Sequence, residues 1–513
     1  MPPNPADLPG TPEALADGAT HRAGMRRVAS TGFVTLVGSA ALGITGWLRT
    51  KGLAVTLGPA GLGAYGQAWA FAQYSGAVGG LGVGLAATKV VAERRHHDDG
   101  DGILRVSFLT SRIPLIGGVV LLVLGLMLVV PISHLLLGRA DYWPVALAAL
   151  SIPWIAVQAP KQHVLQGLED AGGQAVVGGV YGVVFAVSAV GGAIVAGVSG
   201  AVFGLLIGNV AFAALYIVRE RQLLRPYRNR RFDSAKVRMS LRSPETRELL
   251  RLGLASTAIM ATVAVTDIFV RSIILERFGE AEAGQWYALL LLSSQFIGVI
   301  AGSLSYITGP LIARIKETGD FVQTSRVLND SLRLTFAVMF PLLVVIALAR
   351  DPLVDALFSP SFDPIVPALP IMLAADSIRL VAWTLGVALI PLGLGRAWLA
   401  ISLASLVGYA GLAYVTVDQL GATAGAIGWV AQWTISAAAT VAVLVARRAW
   451  RPSARSTFSF LLGAGALAIA SLVPTAWATA PAAILCIAMI WVATTTTERA
   501  ATASFLRIRP WRR

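Results

Sequence analysis

Residues 106–130 read VSFLTSRIPLIGGVVLLVLGLMLVV, a run whose only charged residue is Arg112. A bilayer hydrocarbon core about 30 Å thick is crossed by roughly 20 apolar residues in helical form, so this run is long enough to span it. The same measure applied along the chain predicts fourteen spans, near 29–57, 63–91, 106–130, 143–165, 174–197, 201–218, 249–275, 284–309, 328–349, 366–389, 397–416, 421–446, 457–475 and 480–496. The expected fold class is all-α, a polytopic membrane protein.

Composition supports this. Of 513 residues, 56% are hydrophobic even before the 52 glycines are counted, and only 13% are charged. Soluble domains carry roughly 25% charge, so a polar shell for a soluble protein of this size is lacking. Mean hydropathy is +0.71. The one cysteine, Cys486, has no partner in the chain, which excludes a disulfide scaffold.

The net charge of +14 would suggest nucleic acid in a soluble protein. Its distribution says otherwise. With both termini inside, 30 cations fall in inner segments and three, Arg139, Arg277 and Arg350, in outer loops. That asymmetry is the positive-inside signature of a multi-pass membrane protein. No secretory signal opens the chain, and residues 1–27 are expected to be a disordered cytosolic tail.

The basic loop 219–248 divides the chain. Before it lies an N-lobe, 28–218, with six spans; after it come a C-lobe, 249–446, and a terminal pair of spans with a basic tail, 447–513. The halves share a pattern 221 residues apart: LGPAGLGAY from Leu57 to Tyr65 aligns with FGEAEAGQW from Phe278 to Trp286. Gly58 then matches Gly279 and Gly63 matches Gly284. Paired halves around a crevice are a recurring transporter plan, with the substrate at their interface.

Charges inside a membrane are costly and tend to face a partner or a cavity. Two acids lie deep in spans, Asp267 and Asp376, each one helical turn from a cation, Arg271 or Arg379. That spacing puts each pair on one helix face. Both pairs serve equally as packing elements or as cavity charges. Arg49 and Lys51 have no acid within a turn, and such cations suit an anionic ligand, phosphate above all for arginine. Lys89 lies a turn before Glu93 near an inner interface, where snorkelling also accounts for it, as it does for Arg105, Arg112 and Lys161.

GGLGVG, Gly79 to Gly84, looks like a dinucleotide fingerprint but sits inside a span, so close packing or a bend is the better account. No P-loop sequence is present. His96, His97, Asp98, Asp99 and Asp101 suit a solvated turn better than a metal site, and no cofactor is implied.

Three stretches resemble one family: KGLAVTLGPAGLGAYGQ (51–67) continued by GLAATKVVAE (84–93), then RSIILERFGEAEAGQWYALLLLSSQFIGVIAGSLSYITGPLIARI (271–315), and ADSIRLVAWTLGVALIPLG (375–393). The chain is similar to O-antigen and enterobacterial-common-antigen translocases (Wzx-type), polysaccharide flippases of the multidrug/oligosaccharidyl-lipid/polysaccharide (MOP) exporter superfamily. The resemblance implies two six-helix lobes around a central cavity plus two C-terminal helices. It implies transport of undecaprenyl-diphosphate-linked oligosaccharide from the cytoplasmic to the periplasmic leaflet, in lipopolysaccharide and O-antigen biosynthesis. The partners implied are that lipid-linked oligosaccharide, membrane lipids and polymer-assembly proteins, with no nucleic acid and no enzymatic activity. Arg49, Lys51, Lys89, Arg271 and Arg379 become the candidate substrate-binding cations, and Asp267 and Asp376 the candidates for ion coupling. The alternatives are a multidrug exporter of the same superfamily, which would favour an acidic cavity, and a polysaccharide polymerase or ligase. The latter needs an outer catalytic loop, and 350–364 is too short for one.

Overall fold

The computed structural model describes residues 12–228, 244–293, 312, 315 and 320–494. Asp233 and most of the basic linker, the second half of the expected span 284–309 with Arg314 and Lys316, and the basic tail from residue 495 lie outside them. All regular structure among the described residues is helical. Sixteen helices follow in order: α1 (Pro12–Gly79), α2 (Val83–His96), α3 (Gly100–Met127), α4 (Val129–Leu137), α5 (Tyr142–Gly167), α6 (Ala171–Leu223), α7 (Arg225–Arg228), α8 (Pro244–Phe278), α9 (described over 280–293), α10 (Phe321–Leu348), α11 (Arg350–Leu357), α12 (Leu369–Gly386), α13 (Gly395–Leu420), α14 (Thr423–Ala446), α15 (Ala454–Leu472) and α16 (Thr475–Ala493). A 3-10 turn, Pro360–Ala368, joins α11 to α12.

Nine helices among the described residues are long and apolar enough to cross a membrane. Two helices are divided by kinks. α6 is a hairpin folded at Ala196 and Gly197, where φ turns to 57°. Its arms touch backbone to backbone: Ser188 Oγ donates to Gly204 O at 2.9 Å, and a Cβ on Gly192 would sit 2.0 Å from Gly200 O. α1 likewise changes direction at Gly58, φ 65°. Its first arm runs beside α6, with Gly38 against Ala175 and Gly52 against Val190; its second runs beside α5, with Gly76 against Ile155. In lipid, where apolar helices gain nothing by leaving the solvent, such small-residue contacts supply the close packing that holds helices together. The bend expected at Gly79–Gly84 is present, as the break between α1 and α2, and Gly79 packs on Gly117 and Gly118 of α3.

Two expectations need correcting. Residues 12–27, expected to be disordered, belong to α1; alanine and leucine there favour helix, and only residues 1–11 lie outside the description. The loop 350–364 is not open chain: it forms α11 and the start of the 3-10 turn.

The internal repeat extends far beyond the quoted segments. α3 and α10 begin and end 221 residues apart, and both open on an aspartate whose side chain accepts from the backbone, Asp99 from Gly102 N and Asp320 from Gln323 N. α4 and α11 begin the same distance apart, after matching caps at Leu128 (φ −102°, ψ 19°) and Ala349 (φ −98°, ψ 17°). Gly58 and Gly279 both have positive φ, 65° and 87°. Past α12 the offset becomes 224: the α6 fold at Gly197 (57°, −137°) matches Gly421 (53°, −130°) between α13 and α14. α1–α6 thus pack as one lobe and α8–α14 as its counterpart, while α15 and α16 pack along α10. Phe336 and Phe340 on α10 meet Phe460 on α15.

Because helices alternate in direction, the bundle has two ends. The basic end carries the α2–α3 turn, the α5–α6 turn and the start of α10. The far end carries Gly58, α4, the α6 fold, Gly279 and α11.

Candidate functional site

The lobes meet where the second arm of α1 crosses α8 and α9. At the far end Gly63 lies against its repeat counterpart Gly284, and a Cβ on Gly284 would fall 1.8 Å from Pro59 O. One turn further in, Gly66 faces its counterpart Tyr287, whose ring would lie 2.6 Å from an added Cβ. The local twofold relation between the lobes runs through these two contacts.

Arg271 stands beside this crossing and is 4% exposed. Its Nη2 meets Asp267 Oδ2 at 3.0 Å, its Nη1 donates to Gly66 O across the lobe junction at 3.2 Å, and its guanidinium lies 4.9 Å from the Tyr287 ring. Tyr74 of α1 donates to the same Asp267 oxygen at 3.0 Å. The expected pair is therefore present, and two groups from the other lobe complete it. Arg271 Nε remains buried without a partner.

Arg49 approaches from the first arm of α1. It is half-buried, stacks 4.0 Å over the Phe185 ring, and has no carboxylate within 4.0 Å among the described residues. Tyr65, Tyr181 and Tyr287 lie within electrostatic range of Arg49, while it is Arg271 that lies against the Tyr287 ring. Around them Tyr65 Oη and both amide atoms of Gln67 are buried and unpartnered. Such groups are rare in folded proteins and mark places where polar atoms await a partner.

The other candidates lie elsewhere. Lys51 points to the far end, where Nζ donates to the carbonyl of Asp355 at 2.6 Å and to that of Phe358. Lys89 is exposed at the basic end and sits 3.5 Å from Glu93. Asp376 and Arg379 are buried inside the C-lobe, 3.5 Å apart. Asp376 Oδ1 accepts from Ser293 Oγ at 2.8 Å, while Oδ2 is buried and unpartnered beside a small apolar cavity lined by Leu343, Leu369 and Met372. The Arg379 guanidinium lies 4.1, 5.0 and 5.6 Å from the rings of Trp383, Trp433 and Trp429. Indole faces attract cations, so this cage offsets part of what the loose ion pair leaves uncompensated.

One buried charge cluster escaped the sequence reading. Lys161 is not a snorkelling residue: it is 1% exposed, and its Nζ meets Glu220 Oε2 at 2.6 Å and Ser107 O at 2.9 Å. Ser107 Oγ donates to Glu220 Oε1 at 2.8 Å, which closes the network among α3, α5 and α6. Glu220 was assigned to the basic linker, but α6 continues through Leu223 and buries it, adding a third deep carboxylate. The polar turn at His96–Asp101 is structural around Asp99, which caps α3 and meets Arg94 at 2.5 Å.

With this geometry in hand, the chain can be set beside known proteins. A family model described as "Polysaccharide biosynthesis protein" matches residues 174–367. The lipid III flippases of Escherichia coli (strain K12) and Shigella flexneri are each 25% identical over 355 residues, 66% of this chain and 80% of theirs. Among solved structures, the lipid II flippase MurJ in an inward closed conformation superposes with a TM-score of 0.67 at 13% identity, covering 92% of this chain and all of that one. An inward-facing multidrug resistance MATE family transporter gives 0.62 at 17% identity, over 81% of this chain and 98% of that one. The chain thus shares its fold with the lipid II flippase MurJ and with MATE transporters, and in sequence it is similar to polysaccharide biosynthesis proteins and to the lipid III flippases.

Proposed function

We propose that this protein is a flippase for a lipid-linked oligosaccharide carried on undecaprenyl diphosphate. The cargo moves from the cytoplasmic to the periplasmic leaflet by alternating access, for the synthesis of cell-surface polysaccharide. One observation carries the reading: Arg271 is buried against Tyr287 where the lobes meet, and Arg49, stacked over Phe185 with no carboxylate within 4.0 Å among the described residues, adds a second cation. A diphosphate is bound well by such a site, because each guanidinium presents parallel donors to its oxygens. The lipid III flippase relatives support the cargo class, and a cation-binding multidrug site would instead need an unpaired acid here. Asp267, the acid present, is already held by Arg271 and Tyr74.

The basic end is then cytoplasmic, with both termini, and the protein resides in the inner membrane. Reporter fusions at Glu280 and Ser361 read as periplasmic in this arrangement, and a fusion at Asp233 as cytoplasmic. The site is tested by changing Arg49 or Arg271 to Ala. Polymer export is lost in both while the protein still reaches the membrane; near-normal export from both variants removes the arginines from the transport site.

A further inference from the structure

The two short helices at the far end, α4 and α11, are repeat counterparts, and each is gripped by the opposite lobe. Lys51, in the first arm of α1, donates to the carbonyls of Asp355 and Phe358, in the last turn and at the cap of α11. The residue 221 positions after Lys51 is Ser272, on α8 of the other lobe. Its Oγ donates at 3.1 Å to Leu135 O in the last turn of α4. Both side chains thus satisfy carbonyls at a helix C-terminus, where the last turn has no intrahelical donors. A lysine gains further from the negative end of the helix dipole; a serine does not.

The arms are unequal in a second way. Just past α4, Arg139 meets Glu280 of the opposite lobe at 2.6 Å and Asp141 of its own loop at 3.8 Å. The repeat counterparts of Arg139 and Glu280 are Pro360 and Pro59, so the α11 arm has no equivalent ion pair. One arm is therefore a lysine on helix carbonyls, and the other a serine on a carbonyl plus a half-exposed ion pair.

We propose that α4 and α11 are the handles of a two-armed latch that holds the far end of the crevice closed, with Lys51 as one arm and Ser272 with Arg139–Glu280 as the other. Opening requires both arms to release. Salt weakens the second arm more than the first, because exposed ion pairs are screened whereas the half-buried lysine grip is screened less. This goes beyond the transport reading and stands without it, since the latch is a property of the lobes alone.

Distance measurement between spin labels tests it in the full-length protein without any substrate. The labels go on Val195→Cys and Gln419→Cys, repeat-related positions at the far-end folds of the two lobes, in a Cys486→Ala background. Lys51→Gln is expected to add a longer-distance population that Lys51→Arg does not. Arg139→Gln with Ser272→Ala adds a smaller one, and combining all three changes makes the longer distance dominant. In the Lys51→Gln variant, 0.5 M salt enlarges the longer population further. A distance distribution in Lys51→Gln and in the triple variant that superposes on the parent overturns the latch. A loss of folding in the glutamine variant is recognised by the Lys51→Arg protein, which keeps the charge and must remain closed.

Discussion

Tyr74 of α1 donates its hydroxyl hydrogen to Asp267 of α8, so the carboxylate that pairs with Arg271 is held from the opposite lobe. Any movement that separates these helices must break a buried charge-assisted hydrogen bond. Tyr74→Phe is expected to cost about 1.5–3 kcal/mol, the usual worth of such a bond. Asp267→Ala leaves a buried guanidinium without its acid and costs more, about 3–5 kcal/mol. Thermal unfolding in detergent reads the order; a Tyr74→Phe protein as unstable as Asp267→Ala contradicts it.

Energy coupling is the second expectation. If the proposed site holds, a diphosphate at Arg271 would compete with Asp267 for the guanidinium, and the released carboxylate would be free to take up a proton or sodium ion. Such coupling works only if the ion distinguishes the two states of the carrier. Vesicle transport with Asp267→Asn should lose its dependence on an imposed proton or sodium gradient. Asp376→Asn tests the C-lobe acid in the same way, whose second oxygen has no partner. Full gradient dependence in both variants excludes these carboxylates as coupling groups.

How much of this could be read from the chain alone varies with the range of the interaction. The nine helices among the described residues long enough to cross a bilayer were legible because an apolar run of that length is a local property. The Asp267–Arg271 and Asp376–Arg379 pairs were legible because a helical turn sets their spacing. Tyr74, the carbonyl of Gly66 and the tryptophans of α14 were not, since each comes from another helix. Lys161 illustrates the limit: nothing near it in sequence announces Glu220, which looked like part of a polar linker. α11 was hidden by its brevity and by Pro352 and Pro360, which read as loop.

The Lys161–Glu220–Ser107 network gives a third expectation. Removing one charge leaves the other buried and unpaired, whereas replacing both by apolar groups need not destabilise at all. Lys161→Met or Glu220→Met alone should lower the melting temperature strongly, and the double variant should recover much of the loss. Additive losses in the double variant argue that the two side chains do not act as a pair.

Acid should loosen the basic end. Hydrogen bonds from the Arg219 guanidinium, at 2.7 and 2.8 Å, hold the Asp170 carboxyl below its ordinary range, with Gly173 N assisting. For Asp99 the backbone of Gly102 acts first and Arg94 second, in the same direction. A carboxylate whose folded pKa is depressed contributes stability above its unfolded value, about 3.9, and loses it as pH falls through the folded one. Melting temperature should therefore drop below about pH 4, and the drop should shrink in Asp170→Asn with Asp99→Asn. An unchanged pH profile in that double variant places the acid sensitivity elsewhere.

The contact of Gly63 with Gly284 has an implication for how such a molecule arises. A residue that touches its own repeat counterpart would, in a half-length chain, touch the same residue of a second copy, as in an isologous dimer. In that dimer every charge at the junction would appear twice. Joining the halves in one chain removes that obligation. Thr50 holds the repeat position of Arg271, Ser272 that of Lys51, and Pro59 that of Glu280. Each of these mismatches is one that a strict dimer forbids, and together they make the two sides of the junction chemically unlike.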